Sequence, residues 1–101
     1  MSPPLLIKVS RRASAQVERA AAWWQENRSL APGAVREDVA RALSLLSTHP
    51  GLGIPARHAS TEGIRRLTLS RIRYYLYYRV SRGTLEVLAF WHTSRGREPR
   101  L

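Results

Sequence analysis

Arg71-Ile72-Arg73-Tyr74-Tyr75-Leu76-Tyr77-Tyr78-Arg79-Val80 is the stretch whose reading decides the fold. It is rich in aromatic and β-branched residues, which favour a pleated strand. Side chains of a strand alternate between two faces. Ile72, Tyr74, Leu76, Tyr78 and Val80 therefore point one way, and Arg73, Tyr75, Tyr77 and Arg79 point the other. The first set belongs under another layer of structure. The second reads as a basic-aromatic face.

The same alternation extends outward. Arg65 to Leu69 reads as a preceding strand whose Arg66 and Thr68 widen the basic-aromatic face, with a turn at Ser70-Arg71. Ser81-Arg82-Gly83-Thr84 is short enough for a tight hairpin, after which Leu85 to His92 reads as another strand. Its two candidate faces, Leu85/Val87/Ala89/Trp91 and Glu86/Leu88/Phe90/His92, are both largely apolar, so which of them is buried stays open. Thr93 to Leu101, carrying Arg95, Arg97 and Arg100, reads as a basic tail along the sheet edge.

Upstream the period changes. Leu5 to Val9 predicts a short strand after Pro3-Pro4, which disfavour helix. Ser10 is a candidate N-cap, and Ala13, Val17, Ala20, Ala21 and Trp24 recur at helical spacing up to about Arg28. Pro32-Gly33 breaks this helix and opens a second, whose stripe is Val35, Val39, Ala42, Leu43 and Leu46. His49-Pro50-Gly51 stops it, and Pro50 to Gly63 is too rich in Gly and Pro for regular structure. The order β-α-α-β-β-β predicts an α+β fold: an N-terminal strand and an antiparallel helical hairpin packed on one face of a mainly antiparallel sheet.

The 101 residues suit a single domain spanning 1–101. Seventeen basic residues against seven acidic give a net charge of +10, and Lys8 is the only lysine. Such a field attracts polyanions or an acidic protein partner. Cysteine is absent, which excludes disulfides, thiol catalysis and Cys-ligated metal. Leu5-Leu6-Ile7 is too short for a signal-peptide core or membrane span, so a cytoplasmic protein with no membrane partner is expected.

Chemistry-bearing residues are few. The acids are scattered, with no pair for acid–base work. His49, His58 and His92 lack zinc-ligand spacing, so neither metal nor cofactor is expected. His92 stands out at the end of its strand, beside Arg95 and Arg97: imidazole moves protons, and guanidinium stabilises the extra charge of a phosphorane. Equally, it reads as a strand-end histidine bonded to the tail backbone. The Arg73/Tyr75/Tyr77/Arg79 face suits nucleic acid, an acidic amphipathic segment, or plain solvent. Trp23 and Trp24 are adjacent and cannot share one burial, so one of them is a candidate partner anchor.

Pro50-x-Leu52-Gly53-x-Pro55, Ile64-Arg65-Arg66-Leu67, Arg73-Tyr74-x-x-Tyr77-Tyr78-Arg79-Val80 and Val87-Leu88-x-x-Trp91-His92-x-x-Arg95 together resemble the RelE/ParE family of bacterial toxins. The resemblance covers nearly the whole chain. It implies the toxin half of a type II toxin–antitoxin module, neutralised by an antitoxin with an acidic, partly disordered tail. The family divides into RelE-like ribosome-dependent mRNA endonucleases and ParE-like inhibitors of DNA gyrase. For a nuclease the resemblance supplies Arg66 and Arg95, with His92 as a substitute acid–base group. However, Thr68 and Tyr75 stand at positions where nuclease members carry basic residues, and no tail tyrosine is present. The ParE-like branch is therefore favoured, with the RelE-like nuclease as the alternative. Target contacts are expected from Arg73, Tyr75, Tyr77, Arg79, Arg95 and Arg97, and antitoxin contacts from Trp23, Trp24, Arg66, Tyr75 and Tyr77.

Overall fold

Ser10 begins the first helix as its sequence position suggests: its hydroxyl accepts the Ala13 N–H at 3.1 Å. In the computed structural model, which describes residues 3–56 and 62–101, the elements follow as β1 (Leu6–Val9), α1 (Arg11–Asn27), α2 (Ala34–Thr48), β2 (Ile54–Pro55), β3 (Arg65–Leu69), β4 (Tyr74–Ser81) and β5 (Thr84–His92). The sheet order is β1-β5-β4-β3-β2, with β1 parallel to β5 and the other neighbours antiparallel. This is the expected α+β architecture. Pro32 falls in the loop before α2 rather than within its first turn.

The helical hairpin covers one face of the sheet. Ala13, Ala20 and Ala21 of α1 and Val35, Ala42 and Leu46 of α2 share a buried cluster with Leu76, Tyr78, Leu85, Val87 and Phe90. The small alanines let α1 approach the strands closely. Tyr78 fixes the end of α2 to the sheet from within: its hydroxyl donates to the Pro50 carbonyl at 2.6 Å and accepts the Gly53 N–H at 2.9 Å. Around this anchor the Pro50–Gly63 stretch holds a 3₁₀ turn, Pro50–Leu52, and the two residues of β2. This differs from the irregular loop expected across the stretch. Its local composition is indeed that of a loop, and only pairing with Arg65 and Arg66 makes it a strand.

The open question about the last strand has a geometric answer. Tyr77 lies opposite Ala89 while Tyr78 lies opposite Val87, so Leu88 is an extra residue at a β-bulge. Before it, Leu85 and Val87 face the helices. After it, Phe90 faces them and Ala89 and Trp91 face away. The two largely apolar sets are thus one strand whose faces exchange midway. Helix α1 secures the irregular edge: Ser10 donates its hydroxyl to the Leu88 carbonyl at 3.3 Å, and Gln16 Oε1 accepts the Phe90 N–H at 2.8 Å.

Three expectations are corrected. Strand β4 starts at Tyr74, because Ser70 to Arg73 form the turn. Arg73 sits there with φ of 62°, and its N–H bonds the Leu69 carbonyl. The face opposite the helices is not an open one: Tyr77 is only 1% exposed, in a second small core with Ile64, Ala89 and Trp91. The tail lies across that face rather than along an edge. Trp91 donates its indole N–H to the Arg97 carbonyl, Pro99 is buried, and Leu101 packs on the second core.

Candidate functional site

Tyr74 and His92 lie opposite one another at one end of the sheet. Their rings meet edge to face at 5.0 Å, and Tyr74 stacks on Phe90 at 4.4 Å. Burial raises the Tyr74 hydroxyl above its ordinary pKa, and the nearby Arg95 guanidinium opposes that shift. His92 Nδ1 accepts the Ser94 N–H at 3.1 Å, which leaves Nε2 as the donor of the neutral ring. The hydroxyl of Ser94 lies 2.6 Å from the same nitrogen. His92 is therefore tied to the start of the tail, as the structural reading of this residue anticipates.

Above these rings runs the C-terminal half of α1. Trp23 and Trp24 meet edge to face at 6.4 Å, and the Arg28 guanidinium lies over both rings. Trp24 packs on the main core, while Trp23 stays 47% exposed. The space between helix and strand ends is a groove of about 680 Å³, floored by Ile72 and Tyr74 and bordered by Arg28, Arg71, Arg73 and His92. A smaller hollow continues it past Trp23 to Arg19 and Arg95. The turn that presents Arg73 is clamped to α2. Asp38, mostly buried, accepts from Arg71 Nε at 3.1 Å and Nη2 at 2.7 Å, and from Arg41 at 3.2 Å. The hydrogen bond to Asp38 raises the Arg71 pKa further above its ordinary value.

A second basic-aromatic surface lies on the other side of the sheet. The Arg66 guanidinium sits 4.2 Å from the Tyr75 ring centre, and Arg95 sits 4.0 Å from that of Trp91. Arg97 approaches the same indole at 6.0 Å. Arg66 also bonds the Tyr77 hydroxyl, which lowers a pKa that burial otherwise raises. Glu98, Arg100 and Arg12 border a hollow of about 520 Å³ beside Trp91.

The structure sorts the sequence-predicted residues differently from the sequence. Arg66, Tyr75, Arg95 and Arg97 do gather on the second surface. Tyr77 lies beneath it, buried. Arg73 turns to the groove, and Arg79 is remote, 3.4 Å from its ion-pair partner Glu86. Arg66 pairs in register with Tyr77 on the tail-covered face, whereas His92 pairs with Tyr74 on the helix side. Arg66 and His92 therefore lie on opposite faces of one sheet, and with Arg95 they do not form a single centre. Trp23 and Trp24 belong to the groove, apart from Arg66 and Tyr75. His58 lies outside the described residues. Sequence reasoning missed Arg19, Arg28 and Arg71. The four-residue spacing of Arg19 and Trp23 on one helical face was the available signal. Among the described residues no cluster of three or more His, Asp or Glu is placed to hold a metal ion.

The helical hairpin on one face of a five-stranded sheet has a counterpart among solved structures. A solved structure described as a chromosomal ParDE toxin–antitoxin system from P. aeruginosa shares it with a TM-score of 0.71, at 22% identity, over 92% of this chain and 100% of that one. Residues 7–97 match the family model described as ParE toxin of type II toxin–antitoxin system, parDE. The chain belongs to that ParE toxin family. It is the toxin component of a type II module, and a cognate antitoxin is its partner. No curated protein sequence matches it.

Proposed function

We propose that this toxin inhibits DNA gyrase, acts in the cytoplasm as one domain spanning residues 1–101, and is neutralised by an antitoxin with an acidic, partly disordered segment. The observation that carries the gyrase reading is the ParE family match across residues 7–97. The separation of Arg66 from His92 supports it, because a phosphodiester-cleaving centre needs its acid–base and charge-stabilising groups around one phosphate. No described helix is long and apolar enough to cross a membrane.

The antitoxin reading is supported by charge and by an aliphatic strip. The net charge of +10 favours an acidic partner. Strand β1 is an edge of the sheet and exposes Leu6, Ile7 and Val9. Ile7 and Val80 flank Leu85 in one row across three strands, and Val80 is also exposed. An amphipathic antitoxin segment lays its apolar side there, by strand addition or as a helix. The test is inducible expression without antitoxin, with plasmid topology and mRNA ends followed in one culture. Growth arrest with gyrase-linked DNA breaks and intact mRNA is the expected result. Codon-positioned mRNA cuts with unbroken DNA would overturn the gyrase assignment.

A further inference from the structure

We propose that the groove between α1 and the β4–β5 ends binds a single strand of nucleic acid, with a base stacked on Trp23 and phosphates held by Arg73 and its neighbours. This site goes beyond the gyrase reading and does not depend on it. Three observations carry it: unpaired charge, an available ring, and the placement of Arg73.

Among the described residues, Arg71 alone of the arginines along the groove and its extension is ion-paired, to Asp38 and Glu37. Arg19, Arg28, Arg73 and Arg95 have no carboxylate partner among the described residues. Arg28 and Arg73 line the groove itself and Arg19 and Arg95 its extension, where Arg95 also lies over the Trp91 ring at the rim of the second surface; together they concentrate positive potential along a path where a polyanion is the complementary occupant. Trp23 holds its half-exposed indole at the same opening, with the Arg28 guanidinium 4.9 Å from the ring centre, so a base stacks on the part of the ring that Arg28 leaves exposed. Stacking on an aromatic ring is how sequence-tolerant proteins hold unpaired bases.

Arg73 occupies the left-handed region, where Gly or Asn is the ordinary choice. Arg82 shares that conformation at the far hairpin, and what sets Arg73 apart is that its turn places the guanidinium-bearing side chain in the lining of the groove. The bond from Thr93 N–H to the Arg73 carbonyl, together with the Asp38–Arg71 clamp, fixes that turn in place.

The occupant follows from what the groove lacks. Its aliphatic and small members, Ile72 and Ala20, are buried and offer no bed for leucine or valine side chains. The exposed aliphatic strip suited to an amphipathic peptide lies at the Val80 end of β4, and the groove lies at the Tyr74 end. Six residues of strand separate them, roughly 20 Å. Polyanion and apolar surfaces are thus segregated at opposite ends of one strand.

The experiment measures anisotropy of fluorescein-labelled dT12 and U12 with the full-length chain across 50 to 200 mM salt. The expected result is binding to one or both oligonucleotides with a log–log salt slope of about −3, at roughly 0.7 per phosphate for four arginines. Trp23→Ala, which leaves the charge unchanged, weakens binding about tenfold. Arg73→Asn suits the left-handed backbone and therefore folds; it weakens binding and flattens the slope by about 0.7. Arg82→Asn removes the same charge from another left-handed residue, at the far hairpin, and changes affinity less than about twofold. Equal effects of Arg73→Asn and Arg82→Asn, or no effect of Trp23→Ala, would overturn the site. So would Trp23-dependent binding of an oligoglutamate peptide in place of either oligonucleotide. A chain that inhibits gyrase but binds neither oligonucleotide loses this groove assignment and keeps the gyrase reading; the converse result separates them the other way.

Discussion

Replacing Tyr78 by Phe removes one oxygen atom from the interior and leaves two backbone groups without their partner. The Gly53 N–H bond is buried, and the Pro50 carbonyl bond is partly so. An orphaned buried polar group costs about 1–3 kcal/mol, and a group that water reaches costs less. A hollow bordered by Pro50, Gly51, Arg65 and Tyr78 lets water reach the carbonyl side. The total is therefore about 2–3 kcal/mol, dominated by Gly53. For a domain of this size, 1 kcal/mol moves Tm by roughly 4–8 °C, so Tyr78→Phe lowers it by about 10–20 °C. Gly53→Ala attacks the same joint from the other side: an added Cβ would lie 2.6 Å from the Tyr78 hydroxyl and 3.0 Å from the Arg66 carbonyl. Either change breaks the same two hydrogen bonds, so the double variant loses less than the sum of the singles. Thermal melts and urea titrations of the four proteins, followed by circular dichroism, measure the Tm and the coupling directly. A Tm loss under about 3 °C for Tyr78→Phe, or additivity within about 0.5 kcal/mol, would refute the joint as a shared anchor.

Two further predictions rest on burial and on the clamp. Burial holds the hydroxyls of Tyr74, Tyr77 and Tyr78 above their ordinary pKa. Their contribution to stability is full below about pH 10, where tyrosines of the unfolded chain ionise, and is lost as pH rises through the higher native values. The urea midpoint therefore falls from pH 10 upward, and most of the phenolate absorbance at 295 nm appears together with loss of the near-ultraviolet dichroism. Most of the phenolate appearing in a chain that stays folded would contradict this. Asp38→Ala frees the Ser70–Arg73 turn by removing the acceptor for Arg71 and Arg41. It lowers Tm by about 5 °C, and amide exchange rises first at Arg73 and Thr93. A uniform rise in exchange would show that Asp38 holds the whole domain rather than the turn.

Local chemistry made much of this fold legible. The Ser10 cap, the helical stripes and the alternation through β4 are short-range signals, and each produced the element it implied. The face exchange at Leu88 was not readable, because a bulge is specified by the partner strand and by bonds from Ser10 and Gln16. Strand β2 was hidden for the same reason. Tyr77 alternates like a surface residue, yet Ile64 and the tail roof it over from distant parts of the sequence. The groove shows the limit most clearly. Trp23 on α1, Arg28 just past its end, Arg73 in a turn and His92 at a strand end carry no mutual pattern, and only the fold brings them together.

The adjacency of β1 and β5 also has a consequence in time. The Ser10 hydroxyl waits for a carbonyl 78 residues further along the chain, and β1 has no sheet to join until β5 exists. Such late, long-range closure slows folding. The strand that closes the sheet is also the one that brings His92 to the groove, so a nascent chain that has not yet reached it carries the arginines without the surface that arranges them. The groove between α1 and the sheet thus takes shape only once β5 has been made, after every other element that lines it.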